Sequence, residues 1–390
     1  MIHHPRLRSF WSRGRRSRYN APVHRGLREL VQWVEAHRDD LELNPPATTA
    51  EIGALEQMLG GPLPTDLKEI YKRFNGGTLP VGTLLPAGNE PGTIGATVRE
   101  YAEAIGGDFL DPELLLPFHR TLEGSLLAFD RSAGPVSDTW SIVDYYEDTG
   151  DHRLMYRTFD GWCRHCVAEF TSDDFGQDFD LDTYLRSGER HVEVEPDVAT
   201  GHATVAHALK RAGRPDEALA SYLAAARCVP PLEWCDWEAL KVAALLGDRR
   251  AGFEAAHRLA SRGPDTRWSA RETTPGRTAE VLALLARRDD DAERWLRLLE
   301  QLQEQADASE AVLIQTLSAA LEAGEPLPEP RPLREPVVPD PGDMDGWVQA
   351  AHESYAQGVC RDEDLLFDPG LRRLGRVRDL TNLLRIRREF

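Results

Sequence analysis

Two cysteines three residues apart follow a tryptophan in the run Trp162-Cys163-Arg164-His165-Cys166. At a helix start such a Trp-Cys-x-x-Cys run has the makings of a dithiol redox site. The helix N-terminus and a nearby cation lower one thiol pKa, and the second thiol resolves the mixed disulfide. The surroundings argue otherwise. A redox pair of this kind follows a core strand early in a βαβ unit, whereas this run comes late in a strand-bearing segment. There Phe159, Trp162, Cys163, Cys166, Val167 and Phe170 share one apolar helical stripe, in which a buried thiol packs as a small hydrophobe. Redox chemistry through Cys163 and Cys166 is the third reading of the chain.

Metal and phosphate chemistry find less support. Cys228 and Cys235 flank Pro230-Pro231 and Cys360 stands alone, so no second ligand pair completes a zinc site. The twelve histidines form no HExxH, and no Gly-rich phosphate loop is present. Asp173, Asp174, Asp178, Asp180 and Asp182 lack the Gly and terminal Glu of an EF-hand loop, which makes a solvated acidic loop of them. Asp289-Asp290-Asp291 reads as a turn whose acids cap the next helix. The expectation is no catalytic residue, no cofactor and no metal.

At 390 residues the chain has room for two or three domains. It contains no 18-residue apolar run and no signal-peptide pattern at its start. Five cysteines, an odd number, form no disulfide framework. A cytoplasmic location is expected. Arginine outnumbers lysine 42 to 4, which with abundant Ala and Leu suggests a GC-rich bacterial coding sequence. The net charge of −19 is polarised: residues 1–28 carry +8, leaving −27 for residues 29–390, and residues 45–195 alone carry −16. Such a body repels nucleic acid and attracts basic partners. Only the N-terminal arm, residues 1–24, mixes arginines with Phe10, Trp11 and Tyr19 in a way that suits phosphates and bases. The same arm reads equally as a disordered tail, as a strap on the acidic body, or as residues upstream of the true start.

The elements that position these side chains begin with residues 47–77. Thr48-Thr49-Ala50-Glu51 is a capping box, Ile52, Leu55 and Leu59 share a helical face, and Gly60-Gly61 end that helix. The turn Gly61-Pro62-Leu63-Pro64 leads into a second helix with Leu67, Ile70, Tyr71 and Phe74 inward, closed by Asn75-Gly76-Gly77. Earlier, Leu27, Leu30, Val31 and Val34 mark a first helix. A Gly/Pro-rich loop is expected from Gly77 to about Ala96, then a capping box at Thr97 to Glu100 opening a short helix, and strands at 125–130, 140–146 and 153–159.

This segment resembles the SUKH superfamily (Smi/Knr-like), which includes a fungal cell-wall regulator and many bacterial toxin-immunity proteins. Ile52, Leu55, Glu56, Leu59, Gly60, Leu63, Pro64, Asn75 and Gly76 carry the resemblance, more loosely continued through LLAFD, WSIVDYY and RLMYRTFDGWCRHCVAEF. It implies an α+β domain over residues 25–195 that binds a protein partner, and it transfers no active site.

From residue 199 the texture is Ala-rich and helical. Gly213, Ala218 and Pro230 recur 34 residues later as Gly247, Gly252 and Pro264. The segment GRPDEALASYLAAARCVPP resembles half of a tetratricopeptide repeat, with Ala218, Tyr222 and Ala225 at its packing sites and Ala206 on the preceding helix. A weaker second copy uses Gly252 and Ala256. A third, after an insertion around 266–277, uses Ala292, Leu296 and Leu299. The expected organisation is an all-α tetratricopeptide-like array over 199–325, a Pro-rich connector over 326–342, and a helical C-terminal segment over 343–390, whose residues 372–390 hold seven arginines against two acids.

The leading functional expectation is a toxin-immunity-type protein that binds and neutralises a partner through its SUKH domain. The alternative is a regulatory scaffold that joins clients on its SUKH and repeat surfaces, the repeats holding a peptide. Trp140, Tyr145, Tyr146, Glu147, Asp148 and Asp151 are the candidate partner-binding residues: aromatic anchors in an acidic rim, suited to a basic toxin such as a nuclease. No membrane partner is expected.

Overall fold

The computed structural model describes residues 25–104, 114–145, 152–262, 274–287, 292–328, 344–367 and 377–388. The arm 1–24 lies outside them. Contacts divide the chain into two units, residues 1–175 and 176–390, each with its own apolar core.

In the first unit, helix α1 (Arg25–Ala36) buries Leu27, Leu30 and Val34. Helix α2 (Thr49–Leu59) starts at the expected capping box: Glu51 N donates to Thr48 Oγ1 at 3.2 Å and Thr48 N donates to Glu51 Oε2 at 2.6 Å. Gly60, at φ 69°, closes it in the left-handed region. Helix α3 (Thr65–Tyr71) buries Leu67, Ile70 and Tyr71 against Ile52 and Leu55 in one core.

Six antiparallel strands follow in sequence order across one sheet: β1 (Gly77–Leu79), β2 (Gly82–Leu84), β3 (Leu115–Thr121), β4 (Leu126–Asp130), β5 (Ile142–Tyr145) and β6 (His152–Tyr156). The last three meet expectation within a few residues at their ends. The rest departs from expectation at the β1–β2 hairpin, at the start of the helix that follows it and at β3. The Gly/Pro loop hides the β1–β2 hairpin, whose three-residue strands are too short to show alternation, and helix α4 (Ile94–Ala104) starts ahead of the expected Thr97. Strand β3 carries Pro117, which argues against a central strand. The pairing with β4 shifts register between Pro117 and His119, and that irregularity accommodates the missing donor.

Helix α5 (Phe159–Phe170), capped by Thr158 accepting from Gly161 N at 3.1 Å, covers the sheet's aromatic core. Phe118 meets Phe129 at 4.6 Å and Trp162 edge-on at 5.2 Å, and Phe159 stacks on Trp162 at 5.1 Å. Helix α1 packs on α5 at Gly26, where a Cβ would stand 2.6 Å from Asp160 O.

The second unit is helical. Helix α6 (Leu181–Val194) packs on α7 (Ala199–Arg211), and its Leu181 and Leu185 belong to the helical core. The expected seam lay between 195 and 199, whereas contacts divide the chain between Phe175 and Gly176. Glycines bring α6 and α7 close: a Cβ on Gly188 would lie 3.0 Å from Thr204 Cγ2, and one on Gly201 3.2 Å from Val192 Cγ2. Hairpins follow as α7 with α8 (Pro215–Arg227), α9 (Trp234–Leu246) with α10 (Arg249–Arg262), and α11 (Pro275–Ala286) with α12 (Ala292–Gln305). Ala206, Ala218, Tyr222 and Ala225 are fully buried where close helix approach requires small residues beside one bulky one. A Cβ on Gly252 would strike Leu285 Cδ1 at 2.3 Å. The third pair is phased differently: Trp295, Leu298, Leu299 and Leu302 form the buried stripe of α12, and Ala292 and Leu296 are half-buried. Helix α13 (Ala308–Ala323) continues the array. Beyond the connector come α14 (Met344–Ala356), α15 (Asp362–Phe367) and α16 (Val377–Leu384), whose buried residues join the same core.

Candidate functional site

The motif residues of the first unit serve the backbone. Glu56 Oε1 accepts from Leu63 N at 2.9 Å and from Lys68 Nζ at 3.0 Å, which fastens the Gly-Pro-Leu-Pro turn to α2. Asn75 is buried and bonds both backbone groups of Ala87. Gly76 and Gly77 sit at φ 74° and 133°, and a Cβ there would lie 2.5 Å from Leu84 O and 2.3 Å from Glu42 O respectively. These positions dictate a fold and leave the chemistry to other residues.

The candidate partner patch divides. Trp140 is buried, donates from Nε1 to Gly134 O at 2.7 Å, and has the Arg131 guanidinium carbon 5.6 Å from its ring centroid. Tyr145 is fully buried in β5. Both therefore belong to the core of the first unit. Their aromatic type suggested a binding surface, but β5 buries residues on both of its faces. Tyr146, Glu147, Asp148 and Asp151 lie outside the described residues, in the segment joining β5 to β6.

Cys163 and Cys166 are buried on the inner side of α5. Burial, with smaller contributions from Cys166 and Asp160, pushes the Cys163 thiol well up. Burial and then Glu169 push Cys166 up as well. A nucleophilic or redox thiol requires the opposite shift and access to solvent. Among the described residues no group of three or more His, Cys, Asp or Glu is placed to hold a metal ion.

One constellation escaped sequence reasoning. Tyr156 Oη lies 2.6 Å from His165 Nδ1, and His165 Nε2 lies 3.1 Å from Glu169 Oε1. The i, i+4 spacing of His165 and Glu169 was readable, but Tyr156 arrives from β6 and only the fold supplies it. Carboxylate, imidazole and hydroxyl in that order resemble an acid–base relay. Tyr156 is nevertheless buried beneath α5, so the row orients a helix on a strand.

His119 is a second unforeseen feature. It is 1 % exposed beside Trp162, neither ring nitrogen finds a hydrogen-bond partner among the described residues, and burial lowers its pKa to about 3. A groove of about 620 Å³ runs between α1 and α3, where Leu27 and Val31 form the floor and Arg28, Glu35, Glu69 and Arg73 the rim. Its charges balance and select no ligand. No helix among the described residues is long and apolar enough to cross a membrane.

A search of curated proteins returned no match to this chain. Residues 46–165 match the SMI1 / KNR4 family (SUKH-1). The span covers α2 through most of α5, including the whole sheet and Glu56, Asn75, Gly76 and Gly77. The first unit thus contains a SUKH domain, and an all-helical region follows it.

Proposed function

We propose that this protein is a binding adaptor of the toxin-immunity type, whose SUKH domain captures and neutralises a protein partner. The observation that carries the reading is the family match over residues 46–165. SUKH domains are immunity-type or regulatory binding domains, and the motif residues here are spent on backbone geometry. The acidic balance of residues 45–195 favours a basic partner. A nuclease toxin domain has that chemistry, and covering its nucleic-acid groove would block it. Within the candidate patch, the contact falls to Tyr146, Glu147, Asp148 and Asp151, because Trp140 and Tyr145 are core residues.

The test is to co-express the protein with the product of any adjacent toxin gene and to measure association across salt concentration. Rescue of growth, with an association rate that falls as salt rises, supports the reading. Failure to bind, or unaltered affinity in a Tyr146→Ala, Glu147→Lys variant, removes the toxin or the patch respectively. The scaffold reading draws on one specific observation, the three consecutive helix hairpins of the second unit. On that reading the hairpins resemble tetratricopeptide repeats that present a surface to a further client.

A further inference from the structure

The chain's C-terminal segment reaches back onto its own helical array through a buried charge cluster. Lys210, near the end of α7, donates to Asp362 Oδ2 at 2.9 Å and to Glu238 Oε2 at 2.7 Å. Lys241, one turn beyond Glu238 on α9, donates to Glu238 Oε1 at 2.7 Å and also to Glu363 Oε1. Tyr355 Oη donates to Asp362 Oδ1 at 2.9 Å, Arg388 donates to the same oxygen at 3.5 Å, and the Arg388 guanidinium lies over the Tyr355 ring. Three cations face three carboxylates. Burial opposes charge on Lys210, but Asp362 and then Glu238 outweigh it and hold its pKa well above the ordinary lysine value.

The geometry has a direction. Asp362, Glu363 and Phe367 of α15 each reach the first helix of a different hairpin. Asp362 binds α7 through Lys210 and Glu363 binds α9 through Lys241, while Phe367 lies under the Arg277 guanidinium of α11, 4.6 Å from the ring centroid. Leu365 and Leu366 fill the apolar surface between. Helices α7 to α13 pack mainly on near neighbours in sequence, whereas the Lys210–Asp362 and Lys241–Glu363 contacts span 152 and 122 residues. The far side of those contacts is joined to the array by a connector in which seven prolines fall between 326 and 341.

A buried ion pair adds little net stability over an apolar pair of equal volume, because desolvation consumes the Coulombic gain. What it supplies is register. A segment with adjacent carboxylates followed by aliphatic and aromatic side chains satisfies both lysines and the apolar floor. Removal of Asp362–Phe367 leaves Lys210, Lys241 and Arg388 with Glu238 as the one carboxylate of the cluster, an excess of two positive charges that two incoming carboxylates would neutralise.

We propose that the first-helix face of α7, α9 and α11 is a recognition site for an acidic–aliphatic protein segment, which Asp362–Phe367 occupies in cis as a removable plug. The partner segment carries two adjacent carboxylates with Leu or Phe two to four residues on. The tether gives the plug a high effective concentration, so a competitor needs either excess or a weakened plug.

The experiment uses the full chain and a fluorescein-labelled synthetic peptide of sequence Arg-Asp-Glu-Asp-Leu-Leu-Phe, with anisotropy as readout. The Asp362→Asn, Glu363→Gln variant should bind this peptide at least ten-fold more tightly than the parent chain, and a peptide with both leading carboxylates amidated should lose that gain. A folded variant, judged by circular dichroism, that binds no more tightly than the parent overturns the proposal. Hydrogen exchange on the unaltered chain decides the matter if the variant fails to fold. Amides of α15 and α16 should exchange at least ten-fold faster than those of α9. Equal rates would make the segment a fixed part of the core and end the plug.

Discussion

Asn75 and Ala87 are joined side chain to backbone by two hydrogen bonds: Ala87 N donates to Asn75 Oδ1 at 2.7 Å and Asn75 Nδ2 donates to Ala87 O at 3.1 Å. The amide thereby acts as a length of strand, tying the end of α3 to the segment after β2. Asn75 N also donates to Pro45 O, so one residue holds three stretches of chain. Asn75→Ala leaves both Ala87 groups buried and unpaired, which costs roughly 2–4 kcal/mol. Asn75→Asp keeps the acceptor but buries a charge, and should not restore stability. Urea unfolding of the two variants checks both statements. Loss below about 1 kcal/mol would mean water replaces the amide.

His119 should make the first unit acid-sensitive. Its folded pKa, about 3, lies below the ordinary histidine value, so the unfolded chain takes up the proton first as pH falls. Stability therefore declines from about pH 6.5 downward, by up to about 1.4 kcal/mol per pH unit until the folded pKa is reached. In His119→Leu that slope disappears. The gap between variant and parent should widen between pH 7 and pH 4 in thermal melts. Parallel curves would show that His119 takes up its proton in the fold as readily as in the unfolded chain.

The cysteine pair should behave as packing. Cys163→Ala with Cys166→Ala removes buried sulfur from the inner face of α5 and should cost roughly 1–2 kcal/mol, with partner binding intact. In the unaltered chain at pH 7.5, an aromatic disulfide reagent should modify half-buried Cys228 first and Cys163 and Cys166 only on unfolding. Prompt reaction at Cys163 would restore the redox reading.

Two cores predict two folding units. Fragments 25–175 and 176–390 should each fold, the second with an almost purely helical circular dichroism spectrum. A cut near Pro196 should be worse, because it strips α6 and the buried Leu181 and Leu185 from the helical core. Equal stability of the 176–390 and 199–390 fragments would show that α6 contributes nothing.

Much of this architecture was legible because its signals are local. The Thr48 to Glu51 box, the Gly60 cap and the stripe from Phe159 to Phe170 are each written within a few residues, and each element formed where its pattern lay. Signals failed where the deciding contact was distant. β3 was masked by Pro117, whose penalty is relieved by a register shift that only β4 reveals. Helix α6 reads like the end of the SUKH domain until Gly188 and Gly201 are seen to bring it against α7. The candidate site suffered most. Trp140 and Tyr145 are chemically suited to an interface, and nothing in their spacing tells a hot spot from a core strand covered on both faces. Conversely, Asp362 and Glu363 were invisible as ligands because Lys210 and Lys241 lie more than a hundred residues away.

A chain that uses arginine for 42 of its 46 fixed cations places two of its four lysines inside one buried cluster. The side chains of Lys68 and Lys72 are 27 % and 58 % exposed, against 11 % and 3 % for Lys210 and Lys241. An acylating reagent aimed at side-chain amines should therefore mark the folded protein only in its SUKH domain. Any label at Lys210 or Lys241 becomes a clock that counts how often the C-terminal segment lets go.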